Sequence, residues 1–286
     1  MDIIDTHCHI ISEDRDTYPW SPIGGKASAW ATSRPATAEG MTARMDEAGI
    51  RQAVLVQATT AYGYDNAYVL DSRAGRPDRF LAVGTFDPLE PEAASRLASA
   101  VGDNGLAGVR LFTSGSTVPT QGEWFAAPET DEFWRAAGEA DITVCLQMRL
   151  GPATRQLVDV LERFPTVRVL LDHIGYPDIA SSPARAGKEV AELARHPGLY
   201  LKLTHRNLEP LHAVGEEAVE FLVPVVESFG ADRIAWGSNC PAAEQPLPEL
   251  VGLARTVLEP LPAAAREEIF AKTARRLYPA LGASGA

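Results

Sequence analysis

Eight short runs of apolar and β-branched residues recur along the chain with amphipathic segments between them. This alternation restricts the fold more than any other feature. The runs are DIIDTHCHI (2–10), QAVLVQA (52–58), FLAVGTF (80–86), AGVRLFT (107–113), ITVCLQM (142–148), VRVLLDH (167–173), LYLKLT (199–204) and RIAWGSN (233–239). Continuous apolar character marks strands buried on both faces, as in a parallel sheet. Segments such as TAEGMTARMDEAG, PEAASRLASAVGD, ATRQLVDVLERFP and GEEAVEFLVPVVESFG lie between them, with helical periodicity and Gly or Pro near many of their ends. Eight strand–helix alternations in 286 residues predict an α/β fold, a (β/α)8 barrel forming one domain over 1–286. A doubly wound sheet is the alternative, but no glycine-rich fingerprint follows the first run.

Two long strand-to-helix insertions interrupt the rhythm, ISEDRDTYPWSPIGGKASAWATSR (11–34) after strand 1 and TSGSTVPTQGEWFAAPET (113–130) after strand 4. Both fall at the face where barrel enzymes build their sites, and both carry Trp and polar residues suited to a lid. No linker, repeat or low-complexity tract divides the chain. The net charge of -12 argues against nucleic acid or an anionic membrane as partner. No run of about 18 apolar residues predicts a membrane span. Met1 leads straight into an apolar strand, so no signal peptide is expected. Three scattered cysteines (Cys8, Cys145, Cys240) form neither a disulfide framework nor a metal-type spacing, which suits a reducing cytoplasm. A homo-oligomer is compatible with all of this.

Polar and titratable residues gather at the strand ends. His7 and His9, two apart on strand 1, both point into the barrel, with Cys8 toward the helices. Asp172 and His173 close strand 6, Arg110 sits inside strand 4, and Gln147 and Arg149 end strand 5. Strand 2 runs into QATTAYGYDN, with Gln57, Tyr62, Asp65 and Asn66. Thr204, His205 and Arg206 follow strand 7, and Trp236 and Asn239 close strand 8. One polar strand end means little, but such groups on six strands besides strand 1 make a site. The blander readings are a buried, hydrogen-bonded histidine pair and, for Arg110, a structural ion pair with Asp87 or Asp172. The functional reading gives Arg110 and Arg149 a substrate carboxylate to grip. His196 and His212 read as surface residues.

DTHCH, VQATTAYGYDN, GVRLF, LLDHIG and WGSNCP together resemble the amidohydrolase superfamily, closest to the branch of 2-pyrone-4,6-dicarboxylate lactonase and the sugar-acid and muconolactone-type lactonases. The resemblance runs in order over essentially the whole chain. It implies a (β/α)8 barrel and hydrolysis of a small carboxylated lactone, with His7, His9, His173, Arg110 and Asn239 around the scissile carbonyl. Gln57, Tyr62, Asn66, Arg149, Gln147 and Trp236 are then expected to bind the anionic substrate. His205 is the second candidate base. Two departures stand out. Most members carry Asp where this chain has Asn239, and strand 5 ends in Gln147 and Met148 rather than a metal ligand. No metal is therefore expected to be required; if zinc is bound, His7, His9 and His173 would hold it. A native amide at 239 and an exchange from aspartate are both open on the residues alone. A decarboxylase or hydratase on the same barrel, and a catalytically silent ligand-binding barrel, are the competing readings.

Overall fold

The computed structural model describes residues 1–102, 105–115 and 117–282. Outside them lie 103 and 104 after the third strand's helix, 116 in the second insertion, and 283–286 at the end of the expected domain. Eight parallel strands form one sheet in sequence order: β1 (Ile4–Cys8), β2 (Gln52–Val56), β3 (Phe80–Thr85), β4 (Gly108–Phe112), β5 (Thr143–Gln147), β6 (Arg168–Leu171), β7 (Leu199–Leu203) and β8 (Ile234–Trp236). Each lies within a run expected from the sequence. Neighbours pair along their lengths, for example Arg110 with Cys145 and Leu171 with Leu201. The ring closes through the chain just beyond β8. Asn239 N–H donates to His7 O at 2.7 Å, and His9 N–H donates to Cys240 O at 2.8 Å.

Alternation along the strands divides the core in two. Ile4, Val54, Val56, Leu81, Val83, Leu170 and Ala235 cluster with Ala274, Leu277 and Tyr278 from the last helical segment. Cys8, Leu55, Ala82, Leu111 and Leu146 belong to the larger cluster with the surrounding helices. Buried side chains of this size each contribute about 1.5–3 kcal/mol, so both layers are needed to order the ring. The C-terminal segment seals the barrel's N-terminal end. Leu277 O accepts from Thr143 Oγ1 at 2.8 Å, and the Tyr278 ring packs against Gly108. Chemistry is left to the opposite mouth. Among the described residues no helix is long and apolar enough to cross a membrane.

Candidate active site

The site is assembled at the seam between β1 and β8. Asp5, fully buried, accepts N–H groups from His7 at 2.9 Å and Ser238 at 2.8 Å, and also accepts the Ser238 hydroxyl. This carboxylate staples the two ends of the sheet together. The pairing of β1 with β2 is irregular between Asp5 and Cys8. The turn beyond β8 places Asn239 at φ 60, a left-handed conformation that Asn and Asp tolerate better than most residues. Asn239 Oδ1 then lies 3.2 Å from His9 Nε2, and His7 Nε2 lies 3.2 Å from the same nitrogen.

The proton positions follow from the partners. His9 Nδ1 is 2.7 Å from Val56 O, and a carbonyl only accepts, so Nδ1 carries the proton and Nε2 offers a lone pair. His173 is fixed through Nδ1, 2.7 Å from Thr204 Oγ1. Its backbone opens a left-handed run, with φ of 56, 52, 67 and 56 at His173, Ile174, Gly175 and Tyr176. A β-branched residue at positive φ is strained, of order 1–3 kcal/mol, and persists only where the surroundings fix it. Here Asn207 Nδ2 donates to His173 O at 2.7 Å and Leu150 N–H donates to Gly175 O at 2.9 Å. The run brings the His173 and Tyr176 rings to 5.0 Å of each other.

Beneath the histidines lies a buried charge cluster. Asp172 pairs with Arg110 Nε at 2.8 Å and with Lys202 Nζ at 2.8 Å. Burial alone would push the Asp172 carboxyl up, but Lys202 and Arg110 outweigh it and hold it well below the usual carboxylate range. The histidines are driven the other way. Burial pushes His9 down to about 3, helped by Arg110, and His205 down to about 4, helped by Arg206. Burial also holds His7 and His173 well below the ordinary value, with Asp172 opposing in both cases. All four are neutral at pH 7.

A cavity of about 310 Å³ opens above them, room for about ten waters at roughly 30 Å³ each. Of the residues expected from the sequence, His9, Arg110, Gln147, Arg149, His173 and Asn239 line it. His7 sits one layer below, buried against His9 and Lys202. The others turn elsewhere. Gln57 Nε2 donates to Gly63 O and Asp65 O, and Asn66 bridges to Thr85, so both brace the loop after β2. Tyr62 accepts the Ser12 N–H, which ties down the first insertion. Trp236 is fully buried among the helices against Phe270. His205 does not line the cavity either; its Nδ1 lies 3.3 Å from Ser238 O. His196 is buried, not a surface residue, whereas His212 is exposed.

Arg110 is both an ion-pair member and a lining residue. Its Nε is taken by Asp172 and one Nη by Gln147 Oε1, so little of the fork is left for a carboxylate. Sequence reasoning missed Lys202, Tyr176, Ser28 and Trp30. Lys202 carried a signal: a lysine inside LYLKL is a charge amid apolar residues and requires a partner. Both insertions form cavity wall, through Ser28 and Trp30 from the first and Gly115 and Pro119 from the second. Trp30 stacks on His9 at 5.4 Å between ring centroids.

Imidazoles from the first and sixth strands, gathered under a polar cavity at a barrel's C-terminal mouth, make this a barrel enzyme. The pattern of the amidohydrolase family matches residues 4–280, and the chain belongs to that family. It is 28% identical over 245 residues to an L-fucono-1,5-lactonase of Burkholderia ambifaria, covering 84% of this chain and 80% of the relative. A crystal structure titled a putative 2-pyrone-4,6-dicarboxylic acid hydrolase, from Pseudomonas putida, superposes with a TM-score of 0.77 at 20% identity, covering 98% of both chains. An amidohydrolase from Burkholderia multivorans with bound zinc superposes at 0.71 with 24% identity, covering 98% of this chain and 99% of that one. The structural likenesses establish the fold.

A zinc-bound neighbour raises the question of whether these residues suit a divalent ion. The 3.2 Å distances of His7 Nε2 and Asn239 Oδ1 from His9 Nε2 would suit a ligand set, but the chemistry does not. Lys202 Nζ lies 3.1 Å from His7 Nδ1, and an ammonium can only donate, so the His7 proton belongs on Nε2, where a metal would need a lone pair. Asn239 supplies no charge, and the two cations below share a single carboxylate. Among the described residues no group of three or more His, Cys, Asp or Glu is placed to hold a metal ion. The donor set does not fit.

Proposed function

We propose that this barrel hydrolyses a small carboxylated lactone by direct attack of water, without a metal. The division of the cavity carries the reading. Neutral imidazoles and a carboxamide cover its floor, while the guanidiniums of Arg149 and Arg206 line it with no carboxylate within ion-pair distance among the described residues. Both arginines are largely exposed, so they suit the mouth. Exposed cations facing a cavity fit an anionic ligand. The similarity to an L-fucono-1,5-lactonase supports a lactone ring as the other half of that ligand.

In this scheme Arg149 and Arg206 grip the substrate carboxylate, which orients the ring over the floor. Water rests against His9 and Asn239 and attacks the ring carbonyl. His173, anchored by Thr204, accepts the water's proton and returns it to the ring oxygen as the ester bond breaks, leaving a hydroxy acid. The oxyanion is stabilised by the remaining Arg110 N–H and by the Tyr176 phenol, which burial keeps protonated by pushing it up to about 12. His173 is a weak base in the free protein. Bound substrate anion and developing oxyanion both favour its protonated form. Decarboxylation on the same barrel would require the carboxylate over the floor, whereas guanidiniums with no carboxylate partner among the described residues suit one held at the mouth. The three buried, unpaired thiols fit a reducing compartment such as the cytoplasm.

The test is turnover of a panel of carboxylated and uncharged lactones by protein stripped with chelator, followed by release of hydroxy acid. Carboxylated lactones should be opened at a rate unchanged by chelation, and uncharged analogues should show a raised KM. Activity lost on chelation and restored by zinc overturns the metal-free scheme. Release of carbon dioxide in place of hydroxy acid overturns hydrolysis itself.

A further inference from the structure

Lys202 is fully buried on β7, at the floor of the barrel, and does not line the cavity. A lysine in such a place must direct three N–H bonds somewhere. Among the described residues its Nζ has three polar partners: His7 Nδ1 at 3.1 Å, Cys145 Sγ at 3.4 Å and Asp172 Oδ1 at 2.8 Å. The first two are aligned hydrogen bonds. Among the described residues Asp172 Oδ1 has no aligned donor, so its link to the ammonium is the attraction of charges. Asp172 Oδ1 is also 3.6 Å from His7 Nδ1, too long for a hydrogen bond from that nitrogen.

We infer that Lys202 is a positioning residue that fixes the His7 proton on Nε2 and so makes the two histidines of β1 a hydrogen-bonded pair instead of a pair of metal ligands. The rest of the geometry agrees. His7 Nε2–H then points at His9 Nε2, 3.2 Å away, and that nitrogen is free to accept because Val56 O holds the His9 proton on Nδ1. The order of donation runs Lys202, His7, His9, in one direction, with each ring a single tautomer. Remove the lysine and the direction is lost. His7 can then carry its proton on Nδ1 toward Asp172 and turn a lone pair from Nε2 onto the His9–Asn239 side. The metal-free lactone hydrolysis proposed above gives this order its use, but the tautomer itself is a property of the free protein.

The experiment reads that tautomer without substrate. Protein labelled with 15N in its six histidines is examined by long-range 1H–15N correlation, with the His7 signals assigned from their loss in His7→Gln. In the parent chain His7 should be protonated at Nε2, and in Lys202→Met the proton should move to Nδ1. Zinc added alone should bind Lys202→Met at least about tenfold more tightly than the parent, since a ligand nitrogen has been released. A parent His7 protonated at Nδ1 overturns the inference without recourse to any variant. So does a folded Lys202→Met whose His7 tautomer is unchanged. Failure to open any lactone leaves these signals untouched, so the two readings fail separately.

Discussion

Acid should loosen this fold by forcing charge onto its buried histidines. His9 has a folded pKa of about 3 against an ordinary 6.5, and His205 about 4. A depressed histidine is neutral in the folded chain while the unfolded chain takes up a proton below 6.5. Stability from this source is therefore fully present above 6.5 and drains away as the pH falls toward the folded value. Between pH 7.5 and 5 each group loses about 1.5 units at 1.36 kcal/mol per unit, about 2 kcal/mol, or about 4 kcal/mol for the pair. His7 and His173 shift in the same direction and add to it. Asp5 opposes, because burial raises its folded value and uptake of a proton there favours the fold. Asp172 is depressed, so its contribution disappears only below 3.8, outside this window. A loss of about 4 kcal/mol is a large part of a typical total of about 5–15 kcal/mol. At about 2–4 °C per kcal/mol, the melting temperature should drop by roughly 8–16 °C. Thermal melts by circular dichroism at the two pH values, at fixed ionic strength, are the assay. Equal midpoints would refute the argument, since four buried histidines could not then be neutral in the folded chain.

Two substitutions test the site from other directions. Asn239→Asp suits the left-handed backbone and places a carboxylate 3.2 Å from His9 Nε2; at an effective dielectric of about 20 this attraction is about 5 kcal/mol, part of it offset by burying the new charge. His9 should then titrate at least about two units higher, and the acidic limb of kcat/KM should move up by the same amount as the floor gains an imidazolium. A rise of tenfold or more in the pH–rate profile, with no metal uptake, would make a carboxylate the proper base. Asp172→Asn leaves Arg110 and Lys202 buried without their shared anion, so unfolding by urea should show a loss of about 3–5 kcal/mol; a loss under about 1 kcal/mol would mean that the cluster is hydrated.

The barrel was legible because its strands are covered on both faces, so each reads as an unbroken apolar run bounded by turns. Site residues on strands or at their immediate ends were legible for the same reason: His9, Arg110, Gln147 and His173 stand out against Val and Leu. The loop after β2 was not. Gln57, Tyr62 and Asn66 look like recognition groups in a string of letters, yet a loop that folds over a barrel mouth must satisfy its own backbone, and these side chains do that. Composition cannot separate a polar residue that braces a loop from one that faces a ligand. Lys202 escaped for the opposite reason. Its run looks like one more buried strand, and the single charge within it gains meaning only when Asp172 and His7 arrive from other strands. Tyr176 depends on a left-handed run that no local pattern announces, since only Gly175 among its four residues favours positive φ.

The seam between β1 and β8 gives the chain a particular order of maturation. Residues 230 apart in sequence supply Asn239 and His9, while the other strand neighbours follow one another along the chain. Contacts so distant pay the largest loop-closure entropy and form late in folding. A chain emerging from the ribosome presents β1 to β7 before the last strand exists. Until that strand arrives, Asp5 has no Ser238, His9 has no Asn239 and the cavity lacks that part of its wall. Ring closure and completion of the site are one event, so the His9 and Asn239 amides that close the ring are natural reporters, by hydrogen exchange, of the moment the molecule becomes competent.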